Sequence, residues 1–163
     1  GKKFGIDESE HVDRSLLRLR QEDGGLASAE LGENLSMTVP PGWRRRERLE
    51  DLGIIRDYQA NLDRRKLGFD VLAFVLVRIG DHSAASTDVA GQFEQVVLRH
   101  PQVLACHKVT GEADYQLTVV ASDLDSYGRF VEEVLRHQPG IISIQSSLAL
   151  KEIKAVTRIP VPE

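Results

Sequence analysis

The sequence contains little cysteine and no long apolar run, and both absences limit what the protein can be. Cys106 is the only cysteine, so the chain cannot form an internal disulfide, which favours a reducing cytoplasm. No stretch reaches the roughly 18 consecutive apolar residues of a membrane helix. The first residues also lack the apolar segment of a signal peptide. The expected protein is soluble and cytoplasmic, without a membrane partner.

Motifs for catalysis and metal binding are also missing. The five histidines show no metal-ligand spacing, and there is no glycine-rich phosphate loop or nucleophile elbow. Cys106 and His107 are neighbours in a predicted strand, so their side chains point to opposite faces and cannot form a catalytic pair. We therefore predict no catalytic residue, no metal, no cofactor and no enzymatic activity.

Charge is distributed unevenly along the chain. The net charge is −4, yet residues 1–66 carry 13 basic and 13 acidic side chains, against 8 and 12 in residues 67–163. A basic cluster within the first part contains Arg44, Arg45, Arg46 and Arg48. A basic face on a neutral region, joined to an acidic region, suits a nucleic-acid-binding protein with a separate sensing module. Chance clustering on a solvated helix is the alternative.

The N-terminal third predicts three helices. The first starts after Asp7 or Ser9 and ends near Glu22, where glycines follow. A short second helix covers residues 29–35. The third begins at Thr38, which can cap it, tolerates two prolines in its first turn and ends at Gly53. Two helices joined by a tight turn are typical of a helix-turn-helix, whose last helix enters the DNA major groove.

The third helix has an irregular apolar face. Gly42 and Arg46 occupy positions where helical spacing calls for core residues. Trp43 either packs inward to compensate or lies on the groove face, and core packing is favoured for a single tryptophan in a small domain. Residues 54–63 follow with the alternation of a wing-like or linking strand.

The remainder of the chain predicts the order β-α-β-β-α-β. Two segments, 92–100 and 129–137, repeat Phe, Val, Leu, Arg and His at an offset of 37 positions, and each runs into a strand. This order is the ferredoxin-like fold, with one antiparallel sheet and two helices on one face. The strand Val71–Ile79 is apolar on both sides, so the open face of the sheet is expected to pair with a second subunit.

Two polar clusters are candidate ligand sites. The predicted hairpin turn Gly111–Asp114 holds Glu112 and Asp114, whose carboxylates can bind an ammonium group while turn N–H groups bind a carboxylate. Glycine and aspartate are also ordinary turn residues, so a plain hairpin remains an alternative. Gln145, Ser146 and Ser147 are polar early in the last strand and either line a site or face solvent.

The ordered set of parts resembles the Lrp/AsnC family, also called feast/famine regulators, from about Asp7 to Pro162. The resemblance rests on short segments, none specific alone: Val12-Asp13, Leu16-Leu17, Ala29-Glu30-Leu31, Arg44-Arg45, Leu49-Glu50, Gly53-Ile54-Ile55, Tyr58, Asp63, Leu67-Gly68, Cys106 to Gly111, Asp114-Tyr115 and Ser146-Ser147-Leu148. The family usually has glycine where Ser36 stands.

The resemblance implies an α+β fold: a winged helix-turn-helix domain followed by a ferredoxin-like sensing and dimerisation domain. The expected ranges are 7–55 for the DNA-binding domain, 56–69 for a linking strand and hinge, and 70–163 for the effector domain. It also implies double-stranded DNA and a small amino acid as partners, with homodimers assembling into a higher oligomer such as an octamer. The implied effector residues are Gly111, Glu112, Asp114, Gln145, Ser146 and Ser147. The DNA-binding candidates are Ser36, Thr38, Trp43, Arg44, Arg45 and Arg48.

These expectations define a lead hypothesis and two alternatives. The lead is a DNA-binding transcription regulator that responds to an amino-acid effector. The first alternative is a ligand-binding assembly protein whose helix-turn-helix has decayed, which Gly42 and Arg46 motivate. An enzyme is the second alternative, and it rests only on the versatility of ferredoxin-like folds.

Overall fold

A computed structural model describes residues 10–22, 39–80, 88–155 and 157–163 of the chain. The chain divides into two compact units, which are treated separately below. The N-terminal unit comprises Gly1–Leu62 together with Lys154–Glu163, and the sheet unit comprises Asp63–Ile153. We call Lys154–Glu163 the closing segment. It lies in the N-terminal unit although the sequence assigns it to the effector domain, so that unit is formed by two separate parts of the chain.

Two described helices form the centre of the N-terminal unit: α1, Glu10–Glu22, and α2, Val39–Asp51. Helix α2 is unbroken through Gly42 and Arg46, and it ends in a Schellman motif. Gly53 has a φ of 74°. Its N–H donates to the Glu50 carbonyl at 2.9 Å, and the Ile54 N–H donates to the Leu49 carbonyl at 3.0 Å. The predicted glycine stop is confirmed.

Helices α1 and α2 pack through three leucines. Leu16, Leu17 and Leu49 are buried together, and Ile54, Ile55 and Val161 pack against them. The apolar periodicity of α1 is therefore confirmed by packing. The predicted second helix, residues 29–35, lies outside the described residues, as does the predicted cap Thr38.

Residues 56–62 do not form the predicted linking strand. They are exposed, and no strand of the described chain forms a backbone ladder with them. A strand needs a hydrogen-bonded neighbour, and an alternating side-chain pattern alone does not supply one. The boundaries proposed for the linker and the two domains remain a prediction.

The sheet unit has the predicted β-α-β-β-α-β order. Its strands are β1 (Val71–Ile79), β2 (Val103–Lys108), β3 (Tyr115–Ala121) and β4 (Ile141–Leu148), all paired antiparallel in the order β2-β3-β1-β4. The last strand, β4, ends at Leu148. The ferredoxin-like topology is confirmed.

Two helical connections accompany the sheet. Helix α3, Val89–Arg99, is capped by Asp88, whose carboxylate accepts from the Gly91 N–H at 2.9 Å. Helix α4, Leu124–Phe130, is capped by Asp123 and continues into a π-helical segment, Val131–Leu135. No residue pattern in the sequence indicates that change of helical pitch.

The helices cover only one face of the sheet. On β1, Ala73, Val75 and Val77 are fully buried in a core that includes Phe93 from α3 and Leu135. Phe74 and Leu76, which alternate with them, are 40% and 36% exposed. The opposite face, which we call the open face, is therefore partly apolar, and no helix of the described ranges covers it.

Candidate functional site

Helix α2 presents two arginines on its outward face. Arg44 and Arg48 are one helical turn apart and exposed, and neither forms an ion pair with the residues that the structure describes. Trp43, which the sequence favoured as a core residue, is 46% exposed. That preference is wrong for this chain, because the core side of α2 is supplied by Leu49 together with the two arginines described next.

Arg45 faces inward, although it belongs to the same basic cluster. Its Nη1 atom lies 3.2 Å from Oδ1 of Asp13 on α1, and Asp13 is only 1% exposed. The second oxygen of that carboxylate, Oδ2, is buried without a hydrogen-bond partner in the described chain. The Asp13 charge therefore depends strongly on Arg45, which gives Arg45 a structural partner in addition to any role towards DNA.

Arg46 starts a second polar connection from α2 to the rest of its unit. Its Nε lies 3.4 Å from Glu50 Oε1, and the Tyr58 hydroxyl donates to the same oxygen at 2.9 Å. The Arg20 guanidinium of α1 lies over the Tyr58 ring, 5.2 Å from its centroid. Burial and then the Glu50 hydrogen bond raise the pKa of Tyr58, so the phenol stays protonated and donating. Arg46 Nε itself is buried without a hydrogen-bond partner in the described chain, so Arg46 is held by its 3.4 Å ion pair with Glu50.

The other DNA-binding candidates, Ser36 and Thr38, lie outside the described residues. Among the six candidates, the structure therefore brings Trp43, Arg44 and Arg48 to the exposed surface of one helix and turns Arg45 towards α1.

A cleft of about 270 Å³ opens on the open face of the sheet, beside the hairpin turn. Its lining includes two side chains of opposite charge, Arg78 from β1 and Glu112 from the turn. Leu76 and Val109 add apolar surface. The lining residues are Leu76, Arg78, Val109, Thr110, Glu112, Ala113, Gln116, Ser143 and Gln145.

Asp114, a predicted effector residue, instead fixes the turn to β1. Its carboxylate Oδ2 accepts from the Ile79 N–H at 2.7 Å, and its own N–H donates to the Val77 carbonyl at 2.9 Å. Gly111 has a φ of 104°, which permits the tight reversal before Glu112. Gly111 and Asp114 shape the cleft but do not line it, whereas Glu112 lines it directly.

The predicted effector residues of β4 divide between the two faces of the sheet. Gln145 is opposite Leu76 and lines the cleft, while Ser147 is opposite Phe74 on the same face but outside the cleft. Ser146 is opposite the buried Val75 and shares a hydrogen bond with the Tyr127 hydroxyl on the helical side. The alternation of a strand thus separates Ser146 from its neighbours.

Two titratable groups lie near the covered side of the sheet, away from the cleft. Burial and then the hydrogen bond from its hydroxyl to Glu94, at 3.0 Å, raise the pKa of Tyr115 to about 12. Burial also raises the pKa of the Cys106 thiol, and the nearby Glu94 charge adds to that shift. Cys106 packs against the core, and the raised pKa leaves a smaller fraction of its thiol as the reactive thiolate.

Sequence reasoning missed four polar residues of the cleft: Arg78, Thr110, Gln116 and Ser143. A signal for two of them was present. Arg78 interrupts an apolar strand on the side that carries Phe74 and Leu76, and Gln116 is the polar position that alternates with buried Tyr115 and Leu117. Their convergence depends on strand pairing, which brings Arg78 opposite Ser143 and Leu76 opposite both Gln116 and Gln145.

The described ranges contain neither a metal-binding cluster nor a membrane-spanning helix. Histidine, cysteine, aspartate and glutamate side chains form no group that could hold a metal ion. The helices of the described chain are also too short or too polar for any of them to cross a membrane.

Comparison with protein families matches both parts of the chain. Residues 10–56 match a family of winged helix-turn-helix DNA-binding domains, and residues 72–159 match the Lrp/AsnC ligand binding domain. The first range contains α1 and α2, and the second contains the sheet from Leu72 onwards and the cleft.

Similar proteins of known function are regulators. The DNA-binding transcriptional activator DecR of Escherichia coli K12 is 36% identical over 150 residues, which cover 92% of this chain and 97% of DecR. The Bkd operon transcriptional regulator of Pseudomonas aeruginosa is 34% identical over 146 residues, which cover 90% of this chain and 94% of that regulator.

A solved structure supports the same relationship across both units. A transcriptional regulator of Neisseria meningitidis, crystallised as an L-Met complex, has a TM-score of 0.87 and 35% identity, and covers 95% of this chain and 96% of its own. The winged helix-turn-helix and ferredoxin-like assignments are therefore confirmed together. The chain belongs to the Lrp/AsnC family of DNA-binding transcription regulators.

Proposed function

We propose that this regulator binds double-stranded DNA through the outward face of α2, with Arg44 and Arg48 contacting phosphates or base edges. The observation that carries this proposal is that the arginines of one basic cluster point in two different directions. Arg45 and Arg46 face ion-pair partners within the unit, whereas Arg44 and Arg48 face solvent. Exposed guanidinium groups one helical turn apart suit the spacing of groove and backbone contacts.

Trp43 and the two N-terminal candidates complete the proposed DNA surface. Trp43 lies beside Arg44 and exposes an indole that packs against sugar or stacks on a base. Ser36 and Thr38 precede α2, where hydroxyl groups bind phosphate at a helix N-terminus. Arg45 acts as a positioning residue, because its ion pair with Asp13 fixes α2 against α1.

The unbroken course of α2 favours DNA binding over the alternative of a decayed helix-turn-helix. A gel-shift series on DNA from upstream of the protein's own gene tests this choice. We expect a complex whose affinity falls steeply with salt, because phosphate contacts release counterions. If the folded protein forms no salt-sensitive complex, the result supports the decayed helix-turn-helix.

We propose that the effector is a small free amino acid bound in the cleft beside the hairpin turn. The Arg78 guanidinium suits the carboxylate of such a ligand, and the Glu112 carboxylate suits its ammonium group. Leu76 and Val109 offer a short apolar surface, while Gln116 and Gln145 offer amide groups for orientation. A volume of about 270 Å³ limits the ligand to a small molecule.

Thermal-shift screening with the common amino acids tests the effector site. We expect at least one amino acid to raise the melting temperature of the wild-type protein. Arg78→Ala should weaken that ligand by about tenfold or more, since a hydrogen bond to a charged group contributes roughly 1.5–3 kcal/mol. Arg136→Ala is the matched control, because Arg136 pairs with Glu132 on the exposed helical surface. An unchanged shift in Arg78→Ala would reject the cleft.

We propose a cytoplasmic homodimer that forms through the open face of the sheet and assembles into a higher oligomer, such as an octamer. The partly exposed Phe74, Leu76 and Leu148 support this proposal, because apolar side chains on an uncovered sheet favour a partner. Light scattering with and without the identified amino acid measures the assembly. A monomer under both conditions would contradict it.

A further inference from the structure

The closing segment contacts α1 through its backbone. The Ile159 N–H donates to Oε1 of Gln21 at 2.7 Å, and Nε2 of Gln21 donates to the Ile159 carbonyl at 2.9 Å. Both polar groups of one extended residue are thus satisfied by one side-chain amide, as a neighbouring strand would satisfy them. Gln21 therefore recognises peptide backbone, independently of the Ile159 side chain, which is 72% exposed.

Two residues further along, the same segment adds an apolar contact. Val161 packs against the Leu16, Leu17 and Leu49 cluster, which joins α1 to α2. Nη2 of Arg18 also lies 3.4 Å from the Val161 carbonyl. The closing segment thus contributes to the packing that positions α2.

The point where this segment leaves the sheet unit is also fixed. The Ala149 N–H donates to the Leu72 carbonyl at 2.9 Å, which extends the pairing of β4 with β1. Beyond it, Glu152 Oε1 accepts two hydrogen bonds from the Arg64 guanidinium, from Nη2 at 2.8 Å and from Nε at 3.1 Å. Arg64 follows the first chain connection at Leu62–Asp63, and Glu152 precedes the second at Ile153–Lys154. Both connections therefore leave the sheet unit beside the same ion pair.

We propose that the closing segment is an internal peptide ligand of the DNA-binding unit and a second tether between effector binding and DNA binding. Its contacts with α1 stabilise the packing of α2. Its N-terminal end follows β4, the strand that carries Gln145 in the proposed effector cleft. A change in β4 then has a covalent route to the closing segment on α1. That route is separate from the first chain connection at Leu62–Asp63. The docking of the segment stands on its own contacts, and only the tether role rests on the proposed function.

A pair of aspartate substitutions tests the docking. Val161→Asp places a carboxylate against the leucine cluster, whereas Ile159→Asp adds the same charge on an exposed side chain and keeps both backbone hydrogen bonds. We expect Val161→Asp to lower the melting temperature of the N-terminal unit by roughly 5 °C. It should also speed hydrogen exchange in α1 and α2 and weaken DNA binding about tenfold or more. Ile159→Asp should change DNA affinity by less than about twofold.

Gln21→Ala supplies a second test of the docking that adds no charge. It removes both hydrogen bonds to Ile159, so faster exchange of α1 amides is expected, while Glu22→Ala at the exposed neighbouring position should leave exchange as in the wild type. The docking is overturned if Val161→Asp and Gln21→Ala both exchange like the wild type. This exchange result decides the docking even if the wild type binds no DNA, in which case the proposed function alone fails.

Removal of Lys154–Glu163 tests the tether. The shortened chain should keep the effector-induced thermal shift of the sheet unit, while the effector should lose most of its influence on DNA affinity. The tether is overturned if the shortened chain binds DNA and the amino acid found by thermal shift changes its DNA affinity by the same factor as in the wild type. If the shortened chain does not fold, the same coupling measurement on Gln21→Ala decides: a reduced effector factor supports the tether, and an unchanged one rejects it.

Discussion

In the sheet unit, side chains such as Val75, Val77, Phe93 and Leu117 are fully buried against one another. In the N-terminal unit, the described contact between α1 and α2 combines three leucines with the Asp13–Arg45 ion pair. The two buried charged residues found in the described chain, Asp13 and Arg20, both belong to the N-terminal unit. Burial of apolar area is non-directional, whereas a buried ion pair demands a particular geometry. The unit that binds DNA therefore depends more on specific partners.

The largest expected effect is a loss of stability in the sheet unit, whose core is apolar. Phe93→Ala removes a fully buried ring that lies 4.8 Å from the Tyr115 ring, and should cost the sheet unit about 3–5 kcal/mol in free energy of unfolding. Urea denaturation followed by circular dichroism measures the loss. Leu98→Ala, at an exposed position of the same helix, is the control and should change little. A loss below about 1 kcal/mol would show that the core repacks easily.

The next effect separates two adjacent arginines of α2. Arg45→Ala leaves the buried Asp13 carboxylate unpaired and should destabilise the N-terminal unit by about 3 kcal/mol. Arg44→Ala, at an exposed position, should change stability by less than about 0.5 kcal/mol while weakening DNA binding.

Trp43 makes this pair of variants easy to measure, because it is the only tryptophan and lies on the same helix. Its fluorescence during urea denaturation reports the N-terminal unit. Equal stabilities of the Arg44→Ala and Arg45→Ala variants would contradict the assigned role of the ion pair.

The smallest effect is a pH dependence in the sheet unit. Burial and the Glu94 hydrogen bond raise the pKa of Tyr115 from its usual 10.0 to about 12. Because the folded state favours the protonated phenol, its contribution to stability is complete below pH 10 and is lost as pH rises towards 12. Tyr115→Phe should lose less stability than the wild type between pH 9 and 11.5. Parallel pH curves for the two proteins would contradict the shift.

The same comparison explains what the sequence could predict. The ferredoxin-like topology follows from local patterns: an alternating strand such as Tyr115–Ala121, a capping Asp123 and a repeated helix-strand unit. The glycine stop of α2 is equally local, so it was also predicted correctly. Such features depend on residues within one or two turns of each other.

The missed features depend on partners far apart in sequence. Nothing near Arg45 indicates that Asp13 will be its partner, and nothing near Ile159 indicates Gln21. The exposure of Trp43 follows from these long-range choices, because the core side of α2 is already occupied. In the cleft beside the hairpin turn, the turn was predicted from its residues, whereas Arg78 and Ser143 were brought to it by strand register.

The central claim is that Arg44 and Arg48, and not the whole basic cluster, carry DNA binding. The most direct measurement is the salt dependence of DNA affinity for the wild type and for the double variant Arg44→Ala with Arg48→Ala, by fluorescence anisotropy of a labelled upstream duplex. Loss of two phosphate contacts should reduce the slope of log affinity against log salt by about 2 and weaken binding at every salt concentration. A double variant that is folded and keeps both the wild-type affinity and the wild-type slope would contradict the claim.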